Sequence, residues 1–161
     1  DMENVVVVSP DHGGATRARN LANILDTSIA IVDKRRPRPN VCEAQSVIGD
    51  VDGKDCIVVD DICDTAGSLV AACDILKRFG AKDIYVCLAH GVFSGPAIER
   101  LENSCIKEVV CTNSIPLDEE KKAQTTKIKQ LSIGLMLSKL ILAISSHKPV
   151  SEIYRLFEDH E

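Results

Sequence analysis

The sequence predicts an α/β protein whose mostly parallel sheet carries helices on both faces. Short apolar runs of strand length alternate along the chain with longer amphipathic segments, which is the order expected of β–α–β units. Several of these runs, such as residues 5–8 and 56–60, are apolar at nearly every position. Strands of that kind are buried on both faces, as in a parallel sheet between two helical layers.

Six strands are predicted from the apolar runs. The four valines at 5–8 and the stretch 56–60 are the strongest candidates, and a weaker one at 46–51 ends before the turn formed by Asp52 and Gly53. In chain order, the predicted strands cover residues 5–8, 29–32, 46–51, 56–60, 84–89 and 107–111.

Four helices are predicted between and after these strands. One of them ends before Gly80, a residue that favours the left-handed C-cap conformation. Another begins with Pro96, which suits the first position of a helix. The basic, proline-punctuated stretch 33–40 is predicted to be a loop. In chain order, the predicted helices cover residues 15–25, 65–79, 96–101 and 133–144.

Composition excludes several classes of function. The chain has 161 residues, enough for a single domain over 1–161, and a formal net charge of −5 from dispersed acids. A nucleic-acid or membrane-surface binder would carry a basic face, so neither partner is expected. No apolar run reaches the roughly 18 residues of a membrane span. Seven cysteines without metal-ligand spacing predict free thiols in a reducing, cytosolic compartment.

The loop after the predicted strand 56–60 concentrates the polar groups that a sugar phosphate requires. Ligands of parallel sheets bind beyond the carboxyl ends of the strands. Two adjacent carboxylates, Asp60 and Asp61, end this strand and can accept hydrogen bonds from the hydroxyl groups of a sugar. The backbone N–H groups at the start of the helix that follows form a site for an anion.

Small and hydroxyl residues at the start of that helix support the same prediction. Thr65 and Ser68 add hydroxyl donors, and Gly67 lets the backbone approach an oxyanion closely. Together these residues predict a phosphate in the mouth of the helix and a diol on the carboxylates. Considered alone, Asp64 is equally consistent with a simple helix N-cap.

This loop resembles the signature of the phosphoribosyl-diphosphate-binding proteins. The resemblance implies a phosphoribosyltransferase-type fold, in which the two carboxylates hold ribose and its metal and the residues after them hold the 5-phosphate. The matching stretch reads Val58-Val59-Asp60-Asp61-Ile62-Cys63-Asp64-Thr65-Ala66-Gly67-Ser68. The residues implied to bind ribose 5-phosphate are Asp60, Asp61, Asp64, Thr65, Ala66, Gly67 and Ser68.

The loop after the first strand resembles one branch of these proteins, the ribose-phosphate diphosphokinases. The resemblance implies that Asp11 helps to hold Mg²⁺ near the nucleotide phosphates. One carboxylate with water and substrate phosphates is a usual way to bind this ion. The alternative for Asp11 is a turn-capping acid, and His12 is interpreted as a cap of the next helix. The stretch reads Ser9-Pro10-Asp11-His12-Gly13-Gly14.

The basic stretch resembles the mobile catalytic loop of the bacterial-type, phosphate-activated diphosphokinases. The resemblance implies that Lys34 and Arg36 are catalytic and stabilise charge on the transferring diphosphoryl group. Arg35 and Arg38 are interpreted as part of a solvated charged face. The stretch reads Asp33-Lys34-Arg35-Arg36-Pro37-Arg38-Pro39-Asn40.

The resemblance extends from about Val5 to Ile144 and includes the loops at 90–97 and 110–115. Members of this family are about twice as long. The resemblance therefore implies the carboxyl-terminal half of a two-domain enzyme, without its amino-terminal domain. The tail departs from the family pattern, because Pro149 stands in place of a serine, although Ser151 matches. Regulation by phosphate or ADP is therefore left open.

The family implies transfer of the diphosphoryl group of ATP to the C1 hydroxyl of ribose 5-phosphate, giving phosphoribosyl diphosphate and AMP. Mg²⁺ is the implied cofactor, and a homo-oligomer, a hexamer, is implied for the full-length protein. Most ATP contacts are expected from the absent domain, so the isolated chain is expected to be inactive or weakly active. Two alternatives stay open: a phosphoribosyltransferase and a non-catalytic regulatory relative of the synthetase.

Overall fold

The computed structural model describes residues 4–35 and 44–153, without the side chains of residues 34, 35, 44 and 45. Within these ranges it contains seven strands and five helices. The strands are β1 (Val5–Ser9), β2 (Ser28–Arg35), β3 (Ala44–Ile48), β4 (Asp55–Cys63), β5 (Ile84–Gly91), β6 (Glu108–Thr112) and β7 (Ile128–Leu131). The helices are α1 (Ala15–Ile24), α2 (Gly67–Arg78), α3 (Ala97–Glu102), α4 (Glu119–Ala123) and α5 (Gly134–Ser145).

The strands form one sheet in the order β3-β2-β1-β4-β5-β6-β7. The pairs β1–β2, β1–β4, β4–β5 and β5–β6 are parallel, whereas β2 and β3 are antiparallel. The predicted α/β class with a mostly parallel sheet is therefore confirmed. Because the chain leaves β1 towards β2 on one side and returns to β4 on the other, the connections diverge between β1 and β4. Open α/β sheets bind their ligands at such a point.

Helices cover both faces of the sheet, as the alternation along β1 shows. Val6 and Val8 belong to the larger buried cluster, together with the apolar residues of α2 and α3. Val7 belongs to a second cluster with Ala18 and Ala22 of α1. Successive side chains of a strand point to opposite faces, so a run of valines needs a helical layer on each side.

The structure departs from the predicted elements on the β3 side of the sheet. β2 continues to Arg35, so the predicted loop at 33–40 begins too early, and its residues 36–40 lie outside the described part of the chain. β3 overlaps the weak candidate at 46–51 but begins and ends earlier. The antiparallel ladder with β3 supplies backbone hydrogen bonds to β2, and the charged residues of this stretch do not predict that pairing. α4 and β7 were not predicted.

Six of the seven cysteines lie in the described residues, and all six are free thiols, as predicted. Cys56 and Cys63 are buried on β4, and burial raises the pKa of these thiols to about 12 and about 11. They are therefore protonated at neutral pH and pack as small apolar side chains. Cys42 lies outside the described residues.

The described residues divide into two compact units, one up to Gln130 and the other from Leu131. The second unit contains α5, which leaves Leu135, Ile141 and Ile144 more than 60% exposed. Among the described residues, no helix is both long and apolar enough to span a membrane. The single domain over 1–161 stays a prediction.

Candidate functional site

The predicted site residues that the structure describes lie at the carboxyl ends of the central strands. The loop after β1 carries Asp11, and the end of β4 carries Asp60 and Asp61. β1 and β4 are direct neighbours in parallel register, with Val8 opposite Val58. The loops that follow these two strands therefore meet at the point where the connections diverge.

The mouth of α2 is shaped by one residue in an unusual conformation. Ala66 has a φ of 61° and precedes Gly67, the first residue of the helix. No side chain caps this end, and the Ala66 carbonyl accepts the N–H of Val70 at 3.0 Å. The first N–H groups of a helix have no intrahelical acceptor, so this end offers donors and a positive dipole to an anion. A left-handed alanine costs roughly 1–2 kcal/mol, which neighbouring contacts must offset.

Two side chains from the β5–α3 segment hold this loop. The hydroxyl of Ser94 donates to the carboxylate of Asp64, and the backbone N–H of Ser94 donates to the Asp64 carbonyl at 2.9 Å. Arg100 donates from Nη1 to the carbonyl of Thr65, also at 2.9 Å. The alternative of Asp64 as a helix N-cap is wrong, because α2 begins three residues later with Ala66 at the cap position.

Gly67 lies close to Arg100. A Cβ atom at position 67 would lie 3.2 Å from Nη1 of Arg100. That separation is tighter than an ordinary van der Waals contact, so the guanidinium would have to shift by a few tenths of an ångström to admit a side chain at position 67. The sequence analysis assigned Gly67 to close approach of an anion, and the structure adds a second reason for it.

The two carboxylates that end β4 share one cationic partner. Arg17 of α1 places Nη2 2.9 Å from Oδ2 of Asp61 and Nη1 3.4 Å from Oδ1 of Asp60. The N–H of Asp61 also donates to Oδ1 of Asp60 at 2.9 Å. Arg17 therefore holds the pair in a defined arrangement, although the Asp61 side chain remains 57% exposed.

The environments of Asp60 and Asp61 shift the pKa values of the two carboxyl groups in opposite directions. Burial, with the neighbouring charge of Asp61, raises the pKa of Asp60 above its usual value. For Asp61, burial is the largest single influence and raises the pKa, but the hydrogen bond to Asp60, the charge of Arg17 and backbone hydrogen bonds together outweigh it, so the pKa of Asp61 is lowered. Asp61 is thus the more firmly ionised member of the pair.

Asp11 lies in a tight turn that fixes its backbone and one of its oxygens. The buried hydroxyl of Ser9 donates to the Asp11 carbonyl at 2.6 Å, and the N–H of Gly14 donates to Oδ1 of Asp11 at 3.1 Å. A Cβ atom at Gly14 would lie 2.6 Å from the Ser9 hydroxyl oxygen, and one at Gly13 would lie 3.2 Å from Oδ1 of Asp11. The turn therefore holds an exposed carboxylate at the end of β1.

The prediction that His12 caps α1 is wrong. Nε2 of His12 lies 3.0 Å from Oδ1 of Asp33, a buried residue of β2, and the cap position of α1 is taken by Gly14 without a side-chain hydrogen bond. The contact joins the loop after β1 to the strand that leads into the basic stretch.

A magnesium ion at Asp11 would need further oxygen ligands from water and from substrate phosphates. Across residues 4–35 and 44–153 there is no group of three or more His, Cys, Asp or Glu side chains that could hold a metal ion. Mg²⁺ often keeps several waters and uses one or two carboxylates plus substrate phosphates. The exposed Asp11 carboxylate is compatible with that mode and not with a closed protein cage.

Of the two residues predicted to be catalytic, Lys34 and Arg36, the structure describes only the backbone of Lys34. Lys34 lies in β2, with its backbone paired to Gln45 of β3. Its side chain is outside the description, and Arg36 lies outside the described residues. Their roles therefore stay predictions from the resemblance.

A polar network ends β5 and β6 at the same edge of the sheet. Nδ1 of His90 lies 2.8 Å from the hydroxyl oxygen of Ser114, and the hydroxyl of Thr112 donates to the Ala89 carbonyl at 2.6 Å. His90 pairs in register with Ile62 of β4, next to the two carboxylates. These residues lie in the loops 90–97 and 110–115 that the sequence analysis connected to the same family.

Sequence reasoning missed three residues that complete the site. Arg17 reads as an ordinary polar position of an amphipathic helix. Ser94 lies in the loop 90–97, which the resemblance included without giving Ser94 a role, and Arg100 lies within the short helix α3, outside any motif. Each contacts a predicted site residue at least 30 positions away in sequence. Only the fold brings them together.

The sheet order and the loop after β4 define this protein as an α/β domain of the phosphoribosyltransferase type. The crystal structure of orotate phosphoribosyltransferase from Aeropyrum pernix matches 82% of this chain and 60% of that protein, at 19% identity and a TM-score of 0.55. This likeness concerns the fold alone. The crystal structure of phosphoribosylpyrophosphate synthetase from Mycobacterium smegmatis matches 89% of this chain and 46% of that protein, at 36% identity and a TM-score of 0.82.

Sequence comparison narrows the class to a family. The model of the phosphoribosyl synthetase-associated domain matches residues 34–155, and the chain belongs to this family. It is 53% identical over 154 residues to a ribose-phosphate pyrophosphokinase from Staphylococcus saprophyticus, a match that covers 96% of this chain and 47% of that protein. The predicted resemblance to the ribose-phosphate diphosphokinases is thereby confirmed. The chain spans about half the length of the relatives that it matches.

Proposed function

We propose that this chain carries the ribose-5-phosphate site of a ribose-phosphate diphosphokinase. The observation that supports this most directly is the loop after β4. It joins a carboxylate pair to an uncapped helix N-terminus at the point where the sheet connections diverge. Relatives with this function in their names share about half of the residues of the chain.

The 5-phosphate would be bound by the N-terminus of α2. Residues 64–68 offer backbone N–H groups together with the hydroxyls of Thr65 and Ser68. Ala66 and Gly67 have no polar side chain and let an oxyanion approach the backbone. The carboxylates of Asp60 and Asp61 would accept hydrogen bonds from the ribose hydroxyls.

The proposed reaction is a diphosphoryl transfer. The C1 oxygen of ribose 5-phosphate attacks the β-phosphorus of ATP and loses its proton. The bond between that phosphorus and the oxygen bridging the α- and β-phosphates breaks, and AMP leaves with the electron pair. Lys34 and Arg36 would place positive charge where negative charge develops on the transferring group, which is the main contribution of a protein to such transfers. Mg²⁺, held by Asp11 with the phosphates, would neutralise part of that charge.

Calorimetric titration with ribose 5-phosphate and Mg²⁺ tests the binding site. Saturable binding is expected for the wild-type chain, and Asp64→Asn should weaken it strongly. Asp26→Asn is the matched control, because Asp26 is exposed and lies just before β2, at the opposite edge of the sheet. Absence of binding both in the chain and in a full-length protein carrying this sequence would contradict the proposal.

Lys34→Ala separates binding from chemistry. In a full-length protein we expect kcat to fall by orders of magnitude while the affinity for ribose 5-phosphate is retained. AMP formation from ATP measures turnover, and an unchanged kcat would remove Lys34 from the mechanism. Incorporation of a nucleobase into a nucleotide would instead indicate a phosphoribosyltransferase. The hexameric assembly and the cytosolic location stay predictions.

A further inference from the structure

The proposed reaction supplies no role for Arg17, although Arg17 contacts two of the predicted site residues. Its guanidinium bridges the two carboxylates that end β4, with one nitrogen directed to each. It is also close to the loop after β1, since a Cβ atom at Gly14 would lie 3.5 Å from its Nη1 and 3.9 Å from Oδ1 of Asp11. One cation therefore lies between the two carboxylates of β4 and close to the loop that carries Asp11.

Two adjacent carboxylates at a strand end are chemically suited to more than one kind of ligand. Their oxygens can accept hydrogen bonds from sugar hydroxyls, and they can equally coordinate a divalent cation, which prefers negatively charged oxygen ligands. Asp60 and Asp61 are linked through the Asp61 N–H, so the pair is already assembled without a ligand. A further group is therefore needed to determine whether the Asp60–Asp61 pair binds a sugar or a metal ion.

We propose that Arg17 is the specificity-determining residue of this pair, occupying the position of a divalent cation so that Asp60 and Asp61 recognise hydroxyl groups. The recognition of hydroxyls rests on the proposed function, whereas the exclusion of a metal does not. The Arg17 guanidinium donates a hydrogen bond to one oxygen of Asp60 and forms an ion pair with one oxygen of Asp61, which leaves the other oxygens for neutral donors. Its permanent charge repels a second cation at the same place.

This inference divides the work of the three carboxylates. Asp11 has no ion pair with Arg17 and keeps an exposed carboxylate for a metal that also binds phosphate. The metal expected with the ribose would then reach the site together with the substrate rather than on Asp60 and Asp61 alone.

The proposal is tested by titrating the 161-residue chain with Mn²⁺ alone. Binding is measured as the loss of the free Mn²⁺ signal in electron paramagnetic resonance. Arg17→Met should bind Mn²⁺ at least ten-fold more tightly than the wild type, and Mg²⁺ should compete for the new site. Arg17→Lys keeps the charge and should remain within about three-fold of the wild type. A gain in affinity cannot result from unfolding, which would weaken metal binding in every variant.

A second substitution assigns the new site to the pair. Arg17→Met combined with Asp61→Asn should return Mn²⁺ affinity to the wild-type level. Equal or weaker Mn²⁺ binding by Arg17→Met, or a gain that persists in the double variant, overturns the proposal. If wild-type chain and full-length protein both fail to bind ribose 5-phosphate while the Mn²⁺ results are as expected, the proposed function fails and the exclusion of metal by Arg17 stands.

Discussion

Replacement of Arg100 by methionine tests whether the loop after β4, residues 64–66, is held by contacts from outside itself. Arg100 lies on α3, outside the motif, and its guanidinium donates to the carbonyl of Thr65 at 2.9 Å. Methionine keeps an unbranched apolar side chain on the helix and removes the donor and the charge. The contacts through Ser94 remain in this variant.

The expected loss follows from the strength of that one hydrogen bond. A hydrogen bond with a charged partner contributes about 1.5–3 kcal/mol net, and the lower value applies here because the bond is exposed to water. The left-handed Ala66 costs roughly 1–2 kcal/mol in the native loop, so other conformations are close in free energy. Removing about 1.5 kcal/mol would lower the ratio of the competent loop to its other conformations about ten-fold, and the apparent Kd for ribose 5-phosphate would rise by up to about ten-fold.

Calorimetric titration of the wild type and the variants measures this change. Arg100→Lys retains a charged donor and should recover most of the affinity. Arg78→Met serves as the matched control, because Arg78 lies at the far end of α2 and its loss removes the same charge. Urea denaturation establishes that all variants are folded. An Arg100→Met chain that binds within two-fold of the wild type would show that the loop is stable without this contact.

Three further predictions concern the stability of the fold. Lys127→Met removes an ammonium group that donates to three backbone carbonyls within 3.1 Å at the end of α3, and should lower the free energy of unfolding by roughly 2 kcal/mol in urea denaturation. Gly91→Ala would place Cβ 2.2 Å from Cε2 of the fully buried Phe93. We expect the free energy of unfolding in urea to fall by roughly 2 kcal/mol. A fall below about 0.5 kcal/mol, the size expected of a surface substitution, would contradict the geometry. Because the pKa of Cys56 is raised to about 12, its contribution is complete below the unfolded-state value near 9 and declines as the pH rises towards 12. Unfolding free energy should then fall by up to about 1.4 kcal/mol per pH unit more in the wild type than in Cys56→Ala, and parallel pH profiles would refute this.

Local sequence signals determined much of the central sheet. The apolar runs that became β1, β4, β5 and β6 are each continuous in sequence, because a strand buried on both faces needs apolar side chains at successive positions. The loop after β4 could also be recognised from a continuous stretch of sequence. Its carboxylates, small residues and hydroxyls are neighbours along eleven positions and need no distant partner to be read.

The edge elements were less visible in the sequence. β2 extends through Asp33 to Arg35 because the antiparallel ladder with β3 supplies partners for its backbone, which charged side chains do not indicate. β7 is only four residues long and alternates between half-buried and exposed positions, so its apolar content is too small to stand out.

The sequence by itself determined the α/β class, and it predicted a site at the carboxyl ends of the strands, with a loop that would bind a phosphorylated sugar. The tertiary structure alone decided what holds and tunes that loop. Arg17 meets Asp60 across 43 positions, Arg100 meets Thr65 across 35, and Ser94 meets Asp64 across 30. The physical reason is that motifs record contacts between neighbours in sequence, whereas these polar side chains obtain their partners from strand order and helix packing.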